Sequence, residues 1–363
     1  MASQVCVGLV GTSQYAELMY LSTLQSHPGV ELVAVCGRNQ ARLQELAEKY
    51  KIPRMFKDYK EMIHQGNLDV VAVVVPDDLH YEITMQALDA GLHVICDKPL
   101  ALTVQQAREM YEKAEKAGVK HMVMFTYRWM PFFRYVKDLL EEGYVGRCYH
   151  VEFRYLMGGG LKKEYSWRND PQRSKGALAN LGSHMIDMAH WLVGDITRVN
   201  AQLGFFVECP DENGGKIEPS NDSASLLVEF ATGAQGMIHV DTVTHVADRY
   251  MIQQVILHGE AGSLEIEAQY KNFAEALEVI FHYASKEDKQ YHELVVPLEY
   301  WGEVKRTDPF QVFFTHFAGP RAFMDALLSG DAVYPTFYDG YKAQQVVDAA
   351  YISHRSGKWE AIE

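Results

Sequence analysis

Cys96-Asp97-Lys98-Pro99 closes one run of apolar residues, and Asn180-Leu181-Gly182-Ser183-His184-Met185-Ile186-Asp187 opens a helical stretch much further along. A lysine followed by proline is a cation on a restricted backbone. A histidine on a helix is a base whose ordinary pKa lies near neutrality. These are the parts needed when a hydride leaves an alcohol carbon. A base must take the hydroxyl proton, and a cation must stabilise the alkoxide-like charge. His184 is the candidate acid/base and Lys98 the candidate electrostatic group. For that chemistry the two stretches must form one site.

A third stretch lies upstream of both. Gly8-Leu9-Val10-Gly11-Thr12-Ser13-Gln14-Tyr15-Ala16 follows a strand-like run and precedes a helix-like one. In a dinucleotide site the first glycine of such a loop makes the tight turn, the second admits the pyrophosphate, and a third small residue lets helix and strand pack. Gly11 and Ala16 fill the first and third places, and Ser13 replaces the second glycine. Gly11, Thr12, Ser13 and Gln14 are the candidate pyrophosphate contacts, at a helix N-terminus whose free N–H groups suit an anion. After the second strand comes Gly37-Arg38-Asn39, with no carboxylate for a ribose 2′-hydroxyl. The missing acid and Arg38 lean toward NADP over NAD.

Other side chains are candidates for holding substrate. Arg128, in Tyr127-Arg128-Trp129, follows the fifth long strand pattern of the first half, at the end where ligands bind in parallel sheets. It suits a substrate hydroxyl or carboxylate, or the cofactor phosphates. Trp167 and Arg168 lie in a basic and aromatic loop suited to a sugar face and its hydroxyls. Asp187 and His190 follow His184 at helical spacing, but three positions drifting round a helix make a poor tetrahedral metal set. Asp187 is therefore read as orienting His184 or touching substrate, with no metal.

The elements around these residues set the fold class. Over the first ~125 residues, strand and helix patterns alternate in the rhythm of βαβ units. Strands are expected at Val5–Val10, Glu31–Cys36, Asp69–Val75, His93–Cys96 and His121–Thr126. Helices are expected at Tyr15–Ser26, Gln40–Lys51, Leu79–Ala90 and, capped by Thr103, up to Ala117. Then the texture changes. Helices are expected at Pro131–Gly143 and Leu178–Val193, a half-solvated strand at Tyr149–Leu156, alternating strands from Arg198 to Leu294, and closing helices at Thr315–Leu328 and Tyr341–Ser356. The reading is a dinucleotide-binding domain over 1–126 and an α+β domain over 127–363 built on a large, mostly antiparallel open sheet.

The chain has 363 residues, 48% hydrophobic and 23% charged, as a soluble two-domain protein should. Its net charge of −14 argues against nucleic acid or an anionic membrane as partner. The five cysteines are odd in number, widely spaced and without a C-x-x-C pair, which points to a reducing cytoplasm without a disulfide framework. The apolar run Val5–Val10 is too short to span a membrane and reads as a first strand.

The chain resembles the glucose–fructose oxidoreductase, inositol dehydrogenase and MocA family of NAD(P)-dependent oxidoreductases. The glycine loop follows the first strand. Pro76-Asp77-Asp78-Leu79-His80 matches a P-x-x-x-H pattern, Asp97-Lys98-Pro99 matches E-K-P with Asp for Glu, and Gly176–Asp187 matches G-x-x-x-D-x-G-x-H-x-x-D with Asn180 for Asp. The resemblance implies a Rossmann domain with a C-terminal open-sheet domain, commonly dimers or tetramers formed through that sheet, and sugars or polyols as substrates. It implies that Pro76 and His80 shape the nicotinamide pocket. It places Lys98, His184 and Asn180 in the catalytic group, with Asn180 also on substrate. Asn180 keeps hydrogen-bonding capacity but, lacking charge, stabilises an imidazolium less than aspartate would. Two other readings remain: an NAD-dependent glycosidase working by oxidation and elimination, and a non-catalytic dinucleotide or sugar sensor. Retained Lys98 and His184 speak against the sensor.

Overall fold

The computed structural model describes residues 4–272, 276–306, 308–313 and 318–363. The chain divides into two units, one of Met1–Phe125 with Val312–Tyr341 and one of Thr126–Gln311 with Lys342–Glu363.

The first unit holds six parallel strands: β1 (Val5–Val10), β2 (Val30–Cys36), β3 (Arg54–Phe56), β4 (Val70–Val73), β5 (His93–Asp97) and β6 (His121–Met124). Their order is β3-β2-β1-β4-β5-β6, the doubly wound dinucleotide-binding arrangement. Every residue of β4 and β6 is buried, which explains their near-continuous apolar character. The helices between strands end as their sequences direct. Asn39 accepts from the Arg42 N–H at 3.1 Å and opens Gln40–Tyr50, which closes on Lys51 at φ 53°. Thr103 accepts from the Gln106 N–H at 3.2 Å and opens Val104–Ala117, closed by Gly118 at φ 65°.

Two elements of this unit escape the periodicity. β3 has three residues with no buried position, and Tyr59–Gln65 is a short helix started by Asp58, which accepts from the Lys60 N–H at 2.8 Å. The late segment Val312–Tyr341 belongs here too, so a single boundary at 126/127 does not describe the units. Thr23 donates to the Phe313 carbonyl, His27 meets Asp325 at 2.8 Å, and Val123 N–H donates to the Pro335 carbonyl at 3.3 Å. The helix expected over Thr315–Leu328 runs over Pro320–Ser329, with Pro at its start and Gly330 at φ 86° after it; 314–317 lie outside the described residues.

His121 fixes part of this return. Its Nδ1 accepts from the Phe337 N–H at 3.1 Å, and its Nε2 faces Glu115 at 2.9 Å. Burial lowers its pKa, against the opposing pull of Glu115. The folded ring therefore stays neutral at pH values where the unfolded ring, near 6.5, already binds a proton. Stability is present above that value and is lost as pH falls toward the lowered one. His93, His190 and His239 are depressed by burial in the same sense. Urea melts should show stability falling as pH drops through the ordinary histidine range near 6.5. His121→Gln should flatten the slope; an unchanged slope would remove His121 from this account.

The second unit is built on nine strands: β7 (Cys148–Met157), β8 (Ile196–Gly204), β9 (Ser223–Phe230), β10 (Gln235–Asp241), β11 (Met251–Gly259), β12 (Gly262–Tyr270), β13 (Ala276–Ser285), β14 (His292–Glu293) and β15 (Glu360–Ala361). The order is β14-β13-β12-β11-β7-β10-β9-β8-β15, antiparallel throughout except where β7 and β10 run parallel. Burial alternates along β11 and β12, as a sheet with one covered face requires. The covered face carries Val151, Phe153 and Tyr155 of β7, all buried. The continuous helical stretch from Leu178 to Leu192 packs on this side, where a Cβ on Gly182 would lie 3.6 Å from Val240 of β10.

Candidate active site

The first unit gathers its candidate residues at one edge of the sheet. Gly11–Gln14 follow β1, Arg38 follows β2, Pro76 and His80 follow β4, and Lys98 follows β5. All lie past the carboxyl ends of strands, around the place where β1 and β4 meet and strand order reverses. Gly11 has φ 126°, and a Cβ there would lie 2.0 Å from the Val74 carbonyl oxygen, so only glycine makes this turn. The helical run Gln14–Gln25 starts at Ser13, whose hydroxyl accepts from the Ala16 N–H at 3.1 Å. The missing second glycine is therefore a helix cap, a cause independent of cofactor chemistry.

Gly37 has a packing cause as well. A Cβ there would stand 2.4 Å from Cγ2 of Thr12, so Thr12 occupies the space a carboxylate stem would need. Arg42 donates from Nε to the Thr12 carbonyl at 3.3 Å and pairs with Glu17 and Glu45. Burial works to raise the Glu17 pKa, but Lys49 and Arg42 outweigh it and hold the group charged. Arg38 and Gln14 are exposed, while Thr12 and Pro76 are partly covered. The glycine turn, the capped helix start and the open edge fit a dinucleotide pyrophosphate.

Lys98 is half-buried and its peptide bond to Pro99 is cis. Asp97 beside it is raised by burial, opposed by the charges of Lys98 and His80. His80 is fully buried. Its Nδ1 lies 2.7 Å from the Pro99 carbonyl and its Nε2 2.9 Å from the Val75 carbonyl. Both nitrogens are engaged with the backbone of the segments that follow β4 and β5.

The second unit places Asn180, His184 and Asp187 on one helical run. A π-helical turn, Leu178–Gly182, precedes the α-helix Ser183–Leu192, so the expected uniform α-helix is widened at Asn180. The run is anchored at its start. Gly176 has φ 62°, and a Cβ there would lie 2.1 Å from the Asn221 carbonyl oxygen. Asn221 accepts from the Ala177 N–H through its carbonyl at 2.8 Å and from the Leu178 N–H through its side chain at 3.0 Å. His184 is 7% exposed, with its ring 4.6 Å from that of Tyr127. Tyr127 and Tyr155 share a hydroxyl contact of 2.7 Å, and burial raises the pKa of Tyr155. The two phenols thus wall the imidazole.

Arg128 and Asp187 form a two-pronged pair, Nε to Oδ2 at 2.9 Å and Nη2 to Oδ1 at 2.6 Å. Trp191 lies under the guanidinium at 5.8 Å. The charged ends read from sequence as substrate ligands are engaged with each other. Trp167 and Arg168 sit on a separate short turn, with the guanidinium 4.2 Å over the indole; Trp167 is half-buried and Arg168 exposed.

Comparison with known proteins decides the family. The profile of the oxidoreductase family with an NAD-binding Rossmann fold matches residues 5–125, and that of its C-terminal alpha/beta domain matches residues 137–362. The chain belongs to the Gfo/Idh/MocA oxidoreductases. As a member of that family it is an enzyme that works with a nicotinamide dinucleotide. Levoglucosan dehydrogenase of Pseudarthrobacter phenanthrenivorans is 28% identical over 347 residues, covering 90% of this chain and 88% of that protein. D-glucoside 3-dehydrogenase of Escherichia coli is 34% identical over 251 residues, covering 66% and 70%. Among solved structures, levoglucosan dehydrogenase in complex with NADH and levoglucosan superimposes with a TM-score of 0.88 at 25% identity, over 99% of this chain and 100% of that one.

For this family member, sequence reasoning singled out the helix with His184 but missed what supports it. Asn221 and the Tyr127–Tyr155 pair carry no spacing signal, because they reach the helix from separate segments. The one legible hint was Gly176, which the observed turn requires.

Proposed function

We propose that this enzyme transfers hydride between a nicotinamide dinucleotide and a ring or chain hydroxyl of a sugar or polyol. His184 takes the hydroxyl proton in oxidation and returns it in reduction. The Lys98 ammonium stabilises the negative charge that builds on the same oxygen. Asn180 hydrogen-bonds a neighbouring substrate hydroxyl, and Trp167 and Arg168 face the rest of the sugar. The Arg128–Asp187 pair braces the His184 helix. When bound, the nicotinamide supplies the hydride acceptor; Gly11–Gln14 hold its pyrophosphate and Pro76 bounds its ring. The placement of Lys98 carries this reading. It stands at the end of β5, two strands from the dinucleotide loop, a separation of about 10 Å within the sheet.

The absent acid at Gly37 and exposed Arg38 favour NADP(H), which gains a charge-assisted contact worth about tenfold at an exposed site. The half-exposed face of the large sheet, where Leu227 is 50% exposed, supports a dimer or tetramer, readable by light scattering. The five free thiols support a cytoplasmic setting. No helix among the described residues is long and apolar enough to cross a membrane.

The test is a panel of sugars and polyols headed by levoglucosan and simple glucosides, with reduced nicotinamide followed by absorbance. At least one member should give stoichiometric reduced cofactor with an oxidised sugar. Glycosidic cleavage without net cofactor turnover would contradict the reading. Fluorescence titration should show tighter NADPH than NADH binding, with the difference removed by Arg38→Ala; tighter NADH binding would overturn the NADP preference alone.

A further inference from the structure

We propose that His80 is a permanently protonated positioning residue, an imidazolium that donates from both ring nitrogens to the Val75 and Pro99 carbonyls and so fixes the backbone presenting Lys98. The positioning role rests on the proposed function of Lys98; the charge does not.

The argument starts from hydrogen-bond capacity. A backbone carbonyl only accepts, and a neutral imidazole has one N–H and one bare lone pair. With carbonyl oxygens at 2.7 Å from Nδ1 and 2.9 Å from Nε2, either neutral tautomer sets a lone pair against an oxygen. His80 is 0% exposed, so water cannot relieve the conflict. Two protons satisfy both contacts at once. The resulting charge has compensation nearby. Asp77 on its own turn and Asp97 on β5 act on the ring, with the Cys96 side chain beside it, while Lys98 acts on Asp97. Burial opposes the charge, but Cys96, Asp77 and Asp97 together push the His80 pKa up to about 10.

The location gives the charge its purpose. Val75 lies just past β4 and Pro99 just past β5, so one ring ties together the two strand ends beside the dinucleotide loop. Lys98 is the residue before the clamped Pro99. Displacing such a group by about 1 Å costs on the order of a hundredfold in rate.

The test uses the full chain labelled with nitrogen-15 histidine. Long-range proton–nitrogen spectra should show His80 with two N–H protons and no titration from about pH 6 to about pH 9. The signal is identified by its loss in His80→Asn, or through bonds in the unsubstituted protein if that variant does not fold. One protonated nitrogen at neutral pH would overturn the charge. In parallel, His80→Gln should lower kcat about a hundredfold with KM for sugar and cofactor changed only a few-fold; unchanged kcat would overturn the positioning role. If Lys98→Ala is fully active while the doubly protonated ring is seen, the function of Lys98 falls and the imidazolium stands.

Discussion

Alanine at position 98 should lower kcat by about three orders of magnitude and leave the fold in place. In the proposed mechanism the ammonium meets charge that exists only as the hydroxyl proton leaves, so its loss falls on the transition state rather than on substrate binding. Removing one preorganised electrostatic group typically costs 10²–10³ in kcat, and disturbed proton transfer adds to it. Dinucleotide affinity should change little, because the proposed pyrophosphate loop at Gly11–Gln14 is built on β1. The fold should also tolerate the change. Lys98 is half-buried at a strand end, where truncation removes little packing. Steady-state kinetics with the best sugar from the panel, together with a thermal melt, checks both halves. Tm should move by no more than about 4 °C, which corresponds to about 1 kcal/mol in a unit of this size.

Asp187→Ala should destabilise the second unit by about 3–5 kcal/mol. Its carboxylate is 3% exposed and the Arg128 side chain 11%, so removing the acid strands a buried guanidinium. The double variant Arg128→Ala/Asp187→Ala should recover part of that loss, because it removes the unmatched charge as well as its partner. Urea unfolding of the four proteins gives the coupling. Strict additivity would mean that the pair contributes nothing as a pair. Activity should fall in the single variants through displacement of His184, one helical turn from Asp187.

The parallel sheet was legible because its strands are short apolar runs separated by strong stop signals. His27-Pro28-Gly29, Gly91 and Gly118 stand where elements end, and Thr103 caps as its spacing with Gln106 suggests. What stayed hidden depends on contacts between distant segments. Val312–Tyr341 looks like the tail of the second unit until Asp325 meets His27 and Phe337 meets His121. β3 is too short to carry a period. The wide turn at Leu178–Gly182 begins at the Asn221 anchor, which lies far away in the chain.

The candidate site shows the same division. Residue types and order marked Lys98, His184 and the glycine loop. Two apparent departures then have local causes: Ser13 caps a helix, and Gly37 makes room for Thr12. Arg128 and Asp187 look like ligands in sequence because charged residues near a candidate acid/base histidine invite that reading; their mutual pairing appears only once the chain is folded.

The most direct test is the single-turnover rate of hydride transfer in four proteins: unsubstituted, Lys98→Ala, His184→Ala and the double variant. Groups that act on one oxygen as a unit lose most of their effect together. Each single variant should therefore fall by orders of magnitude, and the double variant should be little slower than the worse of the two. A double variant slowed by the full product of both losses, or a single variant that turns over at the original rate, would contradict a shared role for Lys98 and His184 at the reacting hydroxyl.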